Sequence, residues 1–360
     1  MRSAFLLLPL IFCIAITAQV EPIQIGTLPN LIDEASGLQC PNAIECWTLN
    51  DNNDGSRLFK VDQTGTFISQ LILNNASQID YEDIARGQDG RYFIGDFGNN
   101  QNDREDLTIY ITEDLETVSG TTVDTESISF SFSDQSAFPP PDEEKNFDIE
   151  AMIQWNDSLY LFSRNRTNPY NGWTKIYSLP DQAGEHEALL IDSIFGNLSS
   201  TYNSVTGADI NPSGQRIVLC TNGAIFLITD FDEGFSSASI QYNFFSTTRP
   251  YEGISFIDEC SVLLVEEGNP GGIYSLNTCD ILTHMPELEA EIELQISNGM
   301  LRSSIERSFS RIEVIDISGR CVHRSSGRME IPLNSLKNGI YLVRMFESGQ
   351  SHVRVISVQY

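Results

Sequence analysis

From about residue 20 to residue 280 the apolar positions come in short runs, among them CWTLND, RLFKVD, FISQLIL, LYLFSRNR, RIVLCTNG and AIFLITD. β-Branched and aromatic side chains fill these runs, and Gly, Asn, Asp and Pro fill the gaps, which is the signature of strands joined by turns. The pattern predicts an all-β chain.

Five segments in this region resemble one another: EASGLQC, YEDIARG, IEAMIQW, VTGADIN and YEGISFI. Aligned, they place Ser36, Glu82, Glu150, Thr206 and Glu252 in one column, each followed by a small or acidic residue and then an apolar one. The spacings of 46, 68, 56 and 46 residues have the period of propeller blades, with insertions in the second and third units. A second and a third strand follow each motif, and a fourth closes four of the five units. The fifth unit runs instead into CDILTHMPE, while PIQIGTLP stands spare ahead of the first motif. Pairing that spare segment with the last unit closes a ring and leaves no free edge between first and last units. The expectation is a β-propeller of five four-stranded blades from about residue 21 to residue 285. A sixth blade within Thr112–Phe147, which contains the loop SAFPPPDEEKN, is the open alternative.

Strands that alternate in direction bring the loop entering the first strand and the loop leaving the second to the same face. Strand interiors disfavour Asp, Asn and Gly, so their recurrence at those two places marks strand ends converging on the channel mouth. The candidate metal ligands are Glu82, Asp83, Glu150, Glu252, Asp51 and Asp96. The candidates for contact with a further ligand are Asn99, Arg164, Asn165, Asn222, Glu267 and Asn269. Carboxylates gathered near one axis repel unless protonated or neutralised by a cation, and calcium takes roughly six to eight oxygen ligands of this kind. The competing account is architectural, with Glu capping backbone amides and Asn and Gly supplying turns.

The segment EDIARGQDGRYFIGDFG, residues 82–98, resembles the first metal-bearing blade of the calcium-dependent lactonase propellers, the paraoxonase and gluconolactonase-like families. That resemblance implies calcium held by Glu82 and Asp83, six blades in those relatives, and a calcium-dependent lactonase or esterase as the alternative function. Paraoxonase-type catalysis calls for a histidine pair above the ion. The four histidines here, His186, His284, His323 and His352, are not placed to form one. No GxSxG, HExxH or P-loop motif occurs. The expected function is therefore an extracellular ligand-binding module for a glycan, peptide or small molecule, and Trp173, Tyr170, Phe97 and Tyr251 near the loops suit a sugar or peptide.

Charge sharpens the division of the chain. The net charge is -29, and from Leu288 onward nine Lys or Arg face eight Asp or Glu, leaving twelve against 42 upstream. The acidity belongs to the repeat region, where it repels nucleic acid and anionic membrane and favours cations. The opening MRSAFLLLPLIFCIAITAQV carries a basic residue, an apolar core and a small residue at Ala18, the pattern of a cleaved signal peptide over residues 1–18. No later stretch is apolar enough to span a membrane. Six cysteines follow Cys13 in a chain bound for an oxidising compartment. Cys40 pairs with Cys46 and Cys260 with Cys279 in the expected scheme, Cys220 is read as a small core residue, and Cys321 has no evident partner.

From Ile312 the chain reads IEVIDISGRCVHRSSGRMEIPLNSLKNGIYLVRM, short alternating strands with turns at SGR and LKNG. This predicts a small antiparallel Ig-like β-sandwich over residues 288–360. The order of its pieces resembles the type A C-terminal sorting domain of the type IX secretion system of Bacteroidota, through Gly319, Arg320, Leu336, Gly339, Tyr341 and Val343. The resemblance implies the type IX machinery as a partner and a secreted or cell-surface destination, with the repeat region as cargo.

Overall fold

The protein is described from a computed structural model that covers residues 20–283, apart from 53, 197–198, 232–233 and 236–237, together with the strands between 294 and 358. The predicted signal peptide, His284, Gly319 and Arg320 lie outside the described residues.

The chain is nearly all β. A leading strand, β1 (Ile23–Thr27), precedes four strands of sheet I: β2 (Ala35–Gln39), β3 (Glu45–Asn50), β4 (Arg57–Asp62) and β5 (Phe67–Asn74). Sheet II holds β6 (Tyr81–Arg86), β7 (Tyr92–Asp96), β8 (Thr108–Thr112) and, after a short β9 (Thr122–Asp124), β10 (Glu126–Phe132). Sheet III holds β11 (Asp148–Trp155), β12 (Ser158–Arg164), β13 (Trp173–Pro180) and β14 (Gly184–Phe195). Sheet IV holds β15 (Val205–Ile210), β16 (Ile217–Thr221), β17 (Ala224–Thr229) and β18 (Ser239–Phe244). Sheet V holds β19 (Tyr251–Phe256), β20 (Ser261–Glu266) and β21 (Gly272–Asn277), and its fourth strand is β1, paired antiparallel with β21. Where a fourth strand would follow β21, a short helix, Thr278–Thr283, stands instead.

Within each sheet the strands pair in chain order, except for this return of β1. The long insertion of the second unit supplies β9, which pairs parallel with β5 of sheet I, and β10, which pairs parallel with β14 and joins sheets II and III into eight strands. The first strands pack on one another in sequence: β2 on β6, β6 on β11, β11 on β15, β15 on β19, and β19 on β2 again.

Five buried clusters lie between consecutive sheets. Ala85, Phe93, Met152 and Leu161 pack sheet II on III, and Phe162, Ile176, Leu219 and Phe226 pack III on IV. Cys220, Ile225, Tyr251 and Leu264 pack IV on V, Leu38, Phe59, Leu263 and Val265 pack V on I, and Trp47, Leu58, Tyr81 and Tyr92 pack I on II. Successive side chains of a strand face opposite sides, so Val218 and Cys220 join one interface and Leu219 the other. This explains why RIVLC is apolar in a block: both faces of its sheet are buried. Cys220 is a fully buried core residue with a free thiol.

The repeated motif is a β-bulge. The ladder to the second strand skips a residue at Gly37 in sheet I, Glu150 in III, Thr206 in IV and Glu252 in V, and skips both Glu82 and Asp83 in II. A bulge re-aims the side chain it carries. It also lets neighbouring first strands approach. A Cβ on Gly253 would lie 2.6 Å from the carbonyl carbon of Gly37, and one on Gly37, whose φ is +61°, would lie 2.9 Å from the Asp83 Cα.

Both predicted disulfides are formed, Cys40–Cys46 across the β2–β3 turn and Cys260–Cys279 between the turn before β20 and the short helix. Cys321 is exposed and free. At the C-terminus, β22 (Leu294–Ser297), β23 (Met300–Ser303) and β26 (Glu330–Pro332) form one sheet. A second holds β24 (Ser308–Asp316), β25 (Cys321–Arg328), β27 (Gly339–Glu347) and β28 (Gln350–Val358). Leu301 and Ile331 of the first share a buried cluster with Phe309, Ile312, Val314, Tyr341 and Val343 of the second.

Candidate functional site at the acidic strand ends

The loops entering first strands and those leaving second strands are bonded to one another through the backbone. Asp51 N donates to Glu34 O and Gly98 N to Asp80 O within their sheets, while Tyr81 N donates to Asp51 O and Gly268 N to Asp33 O between sheets. These bonds gather acidic residues from three sheets at one end of the first strands.

Glu150 stands at the centre of the charges. Arg164, at the end of β12, places Nη1 2.9 Å from Glu150 Oε2 and 3.6 Å from Glu252 Oε2. Arg166 places Nη2 3.0 Å from Glu150 Oε1 and Nε 2.6 Å from Asp148 Oδ2. Burial opposes the charge of Arg164, but Glu150 and Glu252 outweigh it and raise its pKa. Glu252 is pushed up to about 8, first by burial and then by the Glu150 charge. Asp148 is pushed up to about 7 by burial and Glu150, against the pull of Arg166.

Glu82 is 6 % exposed, and among the described residues no donor or cation pairs with its carboxylate. Burial, then the charges of Glu150, Asp80, Asp148 and Glu252, hold its pKa well above the usual carboxylate range. Asp80 is pushed up to about 6 by burial and Asp148. Gly98 explains itself here: a Cβ at that position would sit 2.2 Å from Glu82 Oε1 and 2.4 Å from Asp80 Oδ2. The lack of a side chain lets both carboxylate oxygens pack against the glycine. At the seam between sheets V and I, burial and Glu34 push Asp51 up to about 6, and burial and Glu34 also raise Glu267.

The other candidates are committed to the backbone. Asp83 is fully buried; its Oδ1 accepts from Ile84 N and its Oδ2 from Met152 N on β11, and its own bulge turns it away from Glu82 into the packing of first strands. Asp209 repeats that geometry one pair of sheets on, accepting from Ile210 N and from Phe256 N on β19. Asp96 accepts from Ile79 N and Asp80 N and pairs with Arg104 at 3.2 Å. Asn99 accepts from Asp103 N and Arg104 N, and Asn165 ties Thr167 to Trp173. Asn222 presents an Oδ1 without a partner among the described residues, and Asn269 is exposed. His186 sits on β14 with its ring on the Gln182 carbonyl, away from these strand ends. The structure thus brings together Glu82, Glu150, Glu252, Arg164, Asp51 and Glu267. Sequence reasoning passed over Asp80, Asp148 and Glu34. The first two carry a signal, since DYE at 80–82 and DIE at 148–150 share one spacing.

Calcium fits this donor set in kind, because every free donor is an oxygen. It fits less well in arrangement: among the described residues no three acidic side chains converge as they would on a metal ion.

Residues 291–359 match the family described as the secretion system C-terminal sorting domain. The chain is a cargo of type IX secretion, recognised by that machinery and secreted or attached to the cell surface. No curated protein matches the chain. Among solved structures, the major allergen Mala s 1 of Malassezia sympodialis is similar at 12% identity, covering 68% of this chain and 77% of that one with a TM-score of 0.40. A functionally unknown protein from Desulfotomaculum acetoxidans is similar at 12% identity, covering 87% of this chain and 75% of that one with a TM-score of 0.34. Among the described residues no helix is long and apolar enough to cross a membrane.

Proposed function

We propose that residues 21–285 are a five-bladed β-propeller whose acidic channel mouth binds a cationic extracellular ligand, carried out of the cell by an Ig-like sorting domain over 288–360 after loss of the signal peptide. Five four-stranded sheets, the cyclic packing of their first strands and the return of β1 to β21 support the ring. The observation that carries the binding reading is Glu82, a deeply buried carboxylate with no partner of its own beside four further acids. A buried charge without a partner is costly, and such a cost is retained where a ligand relieves it.

Calcium is the second reading, favoured by the all-oxygen donors and by the likeness of residues 82–98 to lactonase propellers. Glu82 and Asp80 would supply its side-chain oxygens. A bound ion would neutralise the mouth and polarise a ligand oxygen, the step a lactonase or esterase needs.

Melting curves test the binding reading. Toward alkaline pH, where Glu82 gives up its proton, Glu82→Gln removes a buried charge, so without ligand the variant should melt a few degrees higher than the wild type there, about 1 kcal/mol being worth roughly 2–4 °C at this size. Calcium chloride or arginine amide, at matched ionic strength, should raise the wild-type melting temperature and leave the variant unmoved. A variant that melts lower and still responds to both overturns the reading.

A further inference from the structure

We infer that the positive charge taken by the mouth is borne by N–H donors, a guanidinium or ammonium group that bridges Glu82 and Asp80. This rests on the cation-binding reading and narrows its occupant.

The chain itself shows what chemistry this acidic cluster accepts. Every carboxylate of the cluster that has a charged partner has an arginine: Glu150 and Asp148 take Arg166, Glu150 and Glu252 take Arg164, and Asp96 takes Arg104. Each guanidinium spans acceptors that belong to different residues or different strands, which a planar fork of five donors does well. Glu82 stands apart from this pattern. It is more than nine-tenths buried and faces the same acids, yet no arginine or other donor among the described residues reaches it.

Gly98 brings Glu82 Oε1 close to Asp80 Oδ2. Both oxygens pack against Gly98, 2.2 and 2.4 Å from the point where a Cβ would stand, so they lie close to each other and one donor group can reach both from the side away from the glycine. Charge-assisted N–H bonds to two carboxylate oxygens need contacts of about 2.7–2.9 Å each and nothing more. A calcium ion needs roughly six to eight oxygens drawn to one centre, and among the described residues no three acidic side chains converge in that way. Two oxygens from different residues, beside a ring already carrying its own guanidinium groups, match a basic side chain or a small organic amine.

Calorimetric titration of the secreted chain at 150 mM NaCl, with N-acetyl-arginine amide, N-acetyl-lysine amide and calcium chloride in separate runs, decides the matter. The inference expects the arginine amide to bind, the lysine amide to bind more weakly, and both to weaken at least tenfold in Glu82→Gln and in Gly98→Ala, whose methyl would push the two carboxylates apart. An arginine-containing peptide that binds more tightly than the amide identifies a peptide source for the same group; equal affinity identifies the free amine, and either agrees with the inference. Calcium binding without either amide overturns the inference and leaves the cation reading standing. No binding by any of the three overturns both. Amide binding that Glu82→Gln does not change is attraction to the net acidic surface and also overturns the inference. If Glu82→Gln fails to fold, Asp80→Asn, at a half-buried position, draws the same distinction between the site and the acidic surface.

Discussion

Asp209 shows how much of the acidic character of this chain is structural. Its carboxylate reaches from β15 to the amide of Phe256 on the neighbouring first strand and to the hydroxyl of Ser255. Burial nonetheless prevails over these donors and pushes it up to about 7. Between its unfolded value near 4 and about 7, the folded protein holds a proton that the unfolded chain has released, so stability falls as pH rises through that window and the loss is complete above it. Across the window the shift corresponds to an effect on the order of 4 kcal/mol. Asp51, Asp80, Asp148 and Glu252, with values from about 6 to about 8, tilt the curve in the same direction. Urea unfolding from pH 4.5 to 8.5 should therefore show stability declining toward alkaline pH, with a shallower decline in Asp209→Asn. A flat wild-type profile would mean that these groups are solvated. The sequence placed Glu82, Glu150 and Glu252 together because they share an alignment column. It gave no means of separating Glu82 from Asp83, adjacent acids that a bulge sends in opposite directions, and it assigned both to one metal.

At the scale of elements, the repeated motif encodes an approach between strands as much as a binding group. The bulge in every first strand lets side chains cross to the next one: Ser36 Oγ donates to the Glu82 carbonyl at 2.6 Å, Thr206 Oγ1 to the Tyr251 carbonyl at 2.5 Å, and the Asp83 carboxylate accepts the Met152 amide at 2.8 Å. The small residue that follows the column makes room for this. Gly253→Ala would bring a methyl against the backbone of Gly37 and Leu38, which has no rotamer to yield. The expected cost is about 1–3 kcal/mol, the usual range for overpacking, read as a lower urea midpoint with an unchanged slope. A variant as stable as the wild type would show that β19 and β2 can separate. Strands were legible because runs such as RIVLC and AIFLITD are buried on both faces, and because turn residues punctuate them. The strand β9 was not legible: TVD is three residues long and owes its place to a parallel pairing with β5, a partner about fifty residues earlier in the chain. Nor could local sequence show that β10 and β14 fuse two sheets, since that contact spans the whole of the third unit.

For the whole molecule the decisive segment is the one nearest the N-terminus. Val20 and Asn243 exchange hydrogen bonds at 3.1 and 2.7 Å, which ties the segment to sheet IV; β1 pairs with β21 in sheet V; and Thr27 N donates to Thr64 O while Leu28 packs between sheets V and I. Nine residues thus stitch three sheets. If the five sheets form a ring, removing residues 20–27 leaves β21 as a bare edge and deprives the ring of its fastening, a loss of several backbone hydrogen bonds at about 1 kcal/mol each together with their packing. The truncated protein should melt well below the full chain and self-associate through the exposed edge, as unpaired strands do. Its affinity for a cationic probe should also fall, because Glu252 and Glu267 of sheet V are held beside Glu82 of sheet II only while the sheets stay in register. A synthetic peptide of residues 20–28 added in trans should restore both properties by strand addition. If truncation left the melting temperature and the binding unchanged, circular closure would have no part in building the mouth.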